Sequence, residues 1–131
     1  MTGLRDGSAT QVAGAHYEDV ALAHLQRAGL GLVERNFSCR YGEIDLVMRE
    51  GEVVVFVEVR YRRGGAVRGG YGGGVDSVGA AKRAKLVRAA GVYLAQRPPL
   101  ANRTCRFDVL AIADGADAPQ IDWRRNAFEA C

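Results

Sequence analysis

Two stretches of the chain alternate with the period of a β-strand: Gly42-Glu43-Ile44-Asp45-Leu46-Val47-Met48 and Val53-Val54-Val55-Phe56-Val57-Glu58-Val59-Arg60. Arg49 to Glu52, with Gly51, is short enough to join them as an antiparallel hairpin. Leu32 to Phe37 reads as a strand ahead of the hairpin. Arg106-Phe107-Asp108-Val109-Leu110-Ala111-Ile112 reads as a later strand and Ile121 to Trp123 as a further short one, with Asn126 to Glu129 closing the chain. A helical period starts from a cap at Ser8 or Thr10 and runs to about Ala28, where Gly29 stops it. Its apolar stripe is Gly14, Ala15, Ala21, Leu22 and Leu25. A second helix is predicted from Val78 to about Gln96, capped by Ser77, stopped by Pro98-Pro99, with Leu86, Val87, Ala90, Tyr93 and Leu94 facing inward. The order helix, three strands, helix, one or two strands predicts an α/β fold, a mixed sheet with a helix on each side.

Length fits one domain over residues 1–131, with residues 1–9 expected as a flexible N-terminus. Gly64 to Gly74 holds seven glycines in eleven residues, too few side chains to pack, and is expected to be a mobile loop. It either closes over a substrate or merely connects. No apolar run is long enough to span a bilayer, and the polar start lacks the apolar centre of a signal peptide; a cytoplasmic protein with no membrane partner is expected. Cys39, Cys105 and Cys131 are widely spaced and odd in number, which indicates neither a disulfide framework nor a zinc site.

Charge changes the picture. Between Glu58 and Arg88 eight cations (Arg60, Arg62, Arg63, Arg68, Lys82, Arg83, Lys85 and Arg88) face two acids, a net +6 that leaves −3 for the remainder. Arginine dominates the basic residues; a GC-rich genome also favours it, so the clustering weighs more than the residue type. Against this stand acids inside apolar strands, Asp45 and Glu58, where a lone carboxylate is costly to bury. Strict alternation puts Glu43, Asp45 and Val47 on one face, and Phe56, Glu58, Arg60 and Arg62 on one face. In a hairpin these faces can coincide and make Asp45 and Glu58 neighbours. Glu18 lies at helical spacing within the first helix's apolar stripe, either snorkelling to solvent or joining the pair. Neighbouring carboxylates repel unless a Mg²⁺ or Mn²⁺ ion neutralises them. Glu43 also fits a surface ion pair, Asp108 a structural acid tied to an arginine, and His16 and His24 solvated helix positions.

Glu18, Gly42-Glu43-Ile44-Asp45-Leu46, Phe56-Val57-Glu58-Val59-Arg60-Tyr61-Arg62, Lys82, Arg106-Phe107-Asp108-Val109 and Asn126-Ala127-Phe128 together resemble the YraN-like family, the bacterial proteins of uncharacterised protein family 0102. That family is similar to the restriction-endonuclease-like superfamily and, within it, to the archaeal Holliday-junction resolvases. The resemblance implies a helix-strand-strand-strand-helix-strand nuclease core. It implies that Glu18, Asp45 and Glu58 bind Mg²⁺ or Mn²⁺, and that Arg60 stands at the lysine of the acid-x-lysine signature. It also implies a homodimer, because a four-way junction needs two symmetric cuts.

The chain is therefore expected to be a divalent-metal-dependent endonuclease hydrolysing DNA, with Glu18, Asp45, Glu58 and Arg60 catalytic. Arg60, Arg62, Arg63, Arg68, Lys82 and Lys85 are expected to contact nucleic acid. Arginine cannot take a proton from water at useful pH, so the alternative is a DNA-binding module of the same fold that has lost turnover through Arg60. Lys82 is a candidate substitute for the missing lysine. A protein-interaction domain ranks last.

Overall fold

The computed structural model describes residues 9–62, 78–114 and 117–128. In chain order these form α1 (Ala9–Arg27), β1 (Gly31–Cys39), β2 (Gly42–Glu50), β3 (Val53–Arg62), α2 (Ala80–Ala95), a 3₁₀ turn (Pro98–Leu100), β4 (Cys105–Ala113) and β5 (Gln120–Phe128). The strands make one mixed sheet in the order β1-β2-β3-β4-β5. Only β3 and β4 pair in parallel, so the connection carrying α2 is their crossover. The expected α/β architecture is the observed one.

β3 is apolar on both faces because it lies in the middle of the sheet and is covered twice. Val55 and Val57 pack with Ala21 and Leu25 of α1 and with Leu46, Met48, Leu110 and Ile112. Val54 and Phe56 pack on the other side with Leu86, Ala89, Ala90 and Tyr93 of α2. Aromatic rings knit the second core: Phe56 stacks on Phe107 at 5.4 Å and Phe107 on Phe128 at 4.9 Å. α1 is fixed further by Tyr17, which stacks on Tyr61 at 4.0 Å; both hydroxyls donate to Asp114, at 3.2 and 2.9 Å.

The structure corrects three element boundaries. β5 is nine residues long and takes in Asn126 to Phe128, where three residues and a closing segment were expected. It is an edge strand whose Arg124 and Arg125 face solvent, and Asn126 has φ 52, so its alternation is broken and polar. α2 begins at Ala80 behind an extended Gly79 that offers no side-chain cap, because Val78 is drawn into the core and cannot join the first turn. β1 extends to Cys39 and closes on β2 through a two-residue loop, Arg40-Tyr41. The expected cap at Ser77, the flexible N-terminus, the Gly64 to Gly74 loop, Arg63, Arg68 and Cys131 lie outside the described residues. No helix among the described residues is long and apolar enough to cross a membrane.

Candidate active site

The pairing of β2 with β3 runs from Glu50↔Val53 to Leu46↔Val57 and stops there. The next residue on each strand is an acid, Asp45 on β2 and Glu58 on β3. In place of a further rung, the Asp45 carboxylate accepts the Val59 main-chain N–H at 2.8 Å. The β1–β2 pairing also steps over this point, passing from Arg35↔Leu46 to Phe37↔Ile44 and skipping Asn36 and Asp45. Asn36 takes φ 55 there. Ile44 and Val47, three residues apart, both pack on the α2 side. Strict alternation therefore fails at Asp45, and the expectation that Glu43, Asp45 and Val47 share one face does not hold. The kink turns Asp45 into the gap between the diverging strands.

Glu58 is nearly buried, and its Oε2 lies 3.0 Å from Nζ of Lys82, on the first turn of α2. Arg60 follows Glu58 two residues on and so shares its face of β3. It is half-buried and makes no ion pair among the described residues. Burial and then the Glu58 charge push the Asp45 carboxyl up to about 7, against the Val59 N–H, which favours the charged form; Glu18 and Glu43 add weaker repulsion.

Glu18 approaches from α1, but its carboxylate is 3.5 Å from Arg35, whose guanidinium also holds Asp19 at 2.9 Å. Among the described residues no three His, Cys, Asp or Glu side chains come together closely enough to hold an ion. The structure thus brings Asp45, Glu58 and Lys82 together, with Arg60 on the same face as Glu58, and leaves Glu18 one step outside, on Arg35. A half-buried and a buried carboxylate still suit a hard divalent cation such as Mg²⁺, which keeps several waters and needs only one or two protein carboxylates beside substrate oxygens.

Lys82 also lines a pocket of about 260 Å³ with Lys85, Leu86, Tyr41, Gly42 and Glu43. Tyr41 was not anticipated, because a residue in a two-residue loop belongs to no periodic pattern. Arg40 donates to its hydroxyl at 2.8 Å and lies over its ring at 4.9 Å, and Arg88 lies over the same ring at 5.9 Å. The histidines stand apart: His16 is exposed beside Tyr17, and His24 rests edge-on against Trp123 at 5.8 Å.

Asp108 has a different setting. It is fully enclosed and receives Arg106 Nε at 2.9 Å and Nη2 at 3.2 Å, Trp123 Nε1 at 2.9 Å and the Asn126 main-chain N–H at 2.9 Å.

The model of the family described as "Uncharacterised protein family UPF0102" matches residues 17–112, which hold Glu18, Asp45, Glu58, Arg60, Lys82 and Asp108. The chain is similar to a UPF0102 protein of Stutzerimonas stutzeri (strain A1501), 49% identical over 94% of this chain and 99% of the relative. It is 43% identical to one of Pseudomonas aeruginosa (strain LESB58), over 97% of this chain and all of the relative. It is also 51% identical to one of Ectopseudomonas mendocina (strain ymp), over 86% and 91%.

Proposed function

This chain belongs to the UPF0102 family, and from that premise we propose that it is a divalent-metal-dependent endonuclease of the restriction-endonuclease-like kind, hydrolysing phosphodiester bonds of DNA at branched structures in the cytoplasm. The observation that carries the reading is the pair of half-buried Asp45 and buried Glu58, set where two central strands part, with one lysine against it. A mixed sheet with a helix on each face is in keeping with that kind of core.

Asp45 and Glu58 would hold Mg²⁺ or Mn²⁺. Bound there, such an ion supplies Lewis-acid polarisation of a phosphoryl oxygen and lowers the pKa of a water molecule. The protein's own groups do the rest. Asp45 would serve as a charged ligand, the ion's positive charge offsetting the burial and the Glu58 repulsion that otherwise hold its carboxyl up to about 7. Val59 N–H keeps the carboxylate aimed into the gap. Lys82 offers a compact ammonium that can turn from Glu58 to a phosphate oxygen and offset the charge that develops in the transition state. It stands in for the motif lysine. Arg60 stays protonated and so orients phosphate without accepting a proton. A four-way junction requires paired cuts, so the working unit is a homodimer.

The test is cleavage of an end-labelled four-way junction, with duplex and single-strand controls, in Mn²⁺. Wild type and Asp45→Ala are purified side by side. Cutting by wild type alone is expected; equal cutting by both would expose a contaminant and remove the proposal. Arg60 itself favours a second reading, a DNA-binding module without turnover. Cleavage gained by Arg60→Lys over an inert parent would establish that reading.

A further inference from the structure

We propose that the β1–β2 loop and the exposed face of α2 form a base-binding subsite, in which Tyr41 stacks an unpaired base of single-stranded DNA while Lys85 and Arg88 hold the flanking phosphates. The inference rests on the nucleic-acid reading above and deepens it by naming the strand form that the site takes.

Four observations converge. The pocket holds about 260 Å³, close to the lower bound of small-ligand sites, roughly 300 Å³, and therefore suits one planar ring system better than a duplex. Its lining combines an aromatic ring and Leu86 with two ammonium groups, which is the chemistry of single-strand binding: a stacking platform beside a cationic track. The cations follow one another at Lys82, Lys85 and Arg88, three residues apart along α2, so all lie on one side of the helix and can meet successive phosphates. The pocket also contains Glu43, an exposed carboxylate. Glu43 disfavours a free anion there, whereas a base brings N–H groups that a carboxylate can accept.

Tyr41 is prepared for such a partner. Arg40 lies against the ring and donates to its hydroxyl, which fixes the ring plane. Arg88 is the more distant of the two guanidinium groups and is exposed, so a base can take its place over the ring while Arg88 swings to a phosphate. Lys82 links the two sites, since it lines the pocket and pairs with Glu58. A strand whose base sits on Tyr41 therefore runs past the acidic pair. Placed there, the subsite would favour DNA in which an unpaired nucleotide adjoins the scissile bond.

The experiment measures binding of the full chain in EDTA, so that cleavage plays no part. Fluorescein-labelled oligothymidylate and a blunt duplex of equal length are titrated by anisotropy with wild type, Tyr41→Ala and Tyr41→Phe. Tyr41→Ala is expected to weaken single-strand binding by about 5- to 100-fold, the size of one lost base–aromatic stack, with duplex binding unchanged. Tyr41→Phe keeps the ring and should bind the single strand within about twofold of wild type. Unchanged single-strand affinity in Tyr41→Ala, or equal losses for both DNAs, would overturn the subsite. Should Tyr41→Ala fail to fold, a 2-aminopurine strand with wild type decides: quenching on binding supports stacking, and unchanged emission refutes it. The nuclease reading fails separately, by absence of Asp45-dependent cutting in Mn²⁺, whatever Tyr41 does.

Discussion

Asp45 and Asp108 are carboxylates sunk into the same sheet, yet they are supplied very differently. Asp108 is paired in register with Val57, one residue before Glu58, and takes hydrogen bonds from a guanidinium, an indole and a main-chain amide. Arg106 brings a full countercharge, and Arg106 is itself held at 2.6 Å by Glu50, which Arg125 also grips. Asp45 receives one main-chain N–H and faces a second acid. A carboxylate that serves the fold is saturated with donors; one left short of them is where the proposed cation would be needed. The contrast is between two environments made from the same kind of residue by β2 and β4, the strands on either side of β3.

The strongest way to break that contrast is at Asp108. Asp108→Ala leaves Arg106 Nε and Nη2, Trp123 Nε1 and the Asn126 amide without their acceptor, and should cost about 3–5 kcal/mol of unfolding free energy in a urea titration. A loss below about 1 kcal/mol, the range of exposed ion pairs, would show that Asp108 is not the structural acid described here.

Asp45→Asn should act in the opposite direction on stability while eliminating Mn²⁺-dependent cutting. The sign follows from the raised carboxyl. The unfolded chain releases this proton near the ordinary carboxylate value of 3.8, and the folded chain holds it until about pH 7. Below both values the site costs nothing. Through the interval the unfolded state binds fewer protons, so the stability of wild type falls as pH rises, by on the order of 4 kcal/mol in all. Asn carries no such penalty. The stability advantage of Asp45→Asn over wild type should therefore be small at pH 4, grow toward pH 7 and level off above it. A difference that stays flat across that range would mean that Asp45 is not short of partners at all.

How much of this was legible beforehand follows the same division. The hairpin, the two helices and the pairing of Asp45 with Glu58 came from periodicity and from the cost of burying acids, both of which are local. Asp108 could be read as a structural acid because its arginine, Arg106, lies two residues away on the same strand. The kink at Asp45 could not, since it is completed by Asn36 across the sheet and by the loss of a rung that no single strand specifies. Lys82 was a candidate substitute for the motif lysine, but its approach to Glu58 depends on where the crossover sets down α2. Tyr41 was invisible for a third reason: a loop residue has no period to depart from.

The smallest effect concerns Glu18, and it sharpens the contrast most. The acidic pair lacks a third carboxylate because Arg35 holds Glu18 at 3.5 Å and Asp19 at 2.9 Å. Arg35 is poorly satisfied in return, with its Nε buried and without a partner among the described residues. Arg35→Gln should therefore cost less than about 1 kcal/mol of stability, in the range of exposed ion pairs. Freed of the guanidinium, Glu18 still repels Asp45, and that repulsion becomes useful as soon as a cation is present. Calorimetric titration with Mn²⁺ should show affinity rising about two- to fivefold in Arg35→Gln, a shift below 1 kcal/mol by the conversion of about 1.4 kcal/mol per tenfold. The double variant Arg35→Gln with Glu18→Gln should return to the wild-type affinity or below it. If Arg35→Gln binds Mn²⁺ no better than wild type, then Glu18 serves α1 rather than the ion, and the deficient site is complete with two carboxylates.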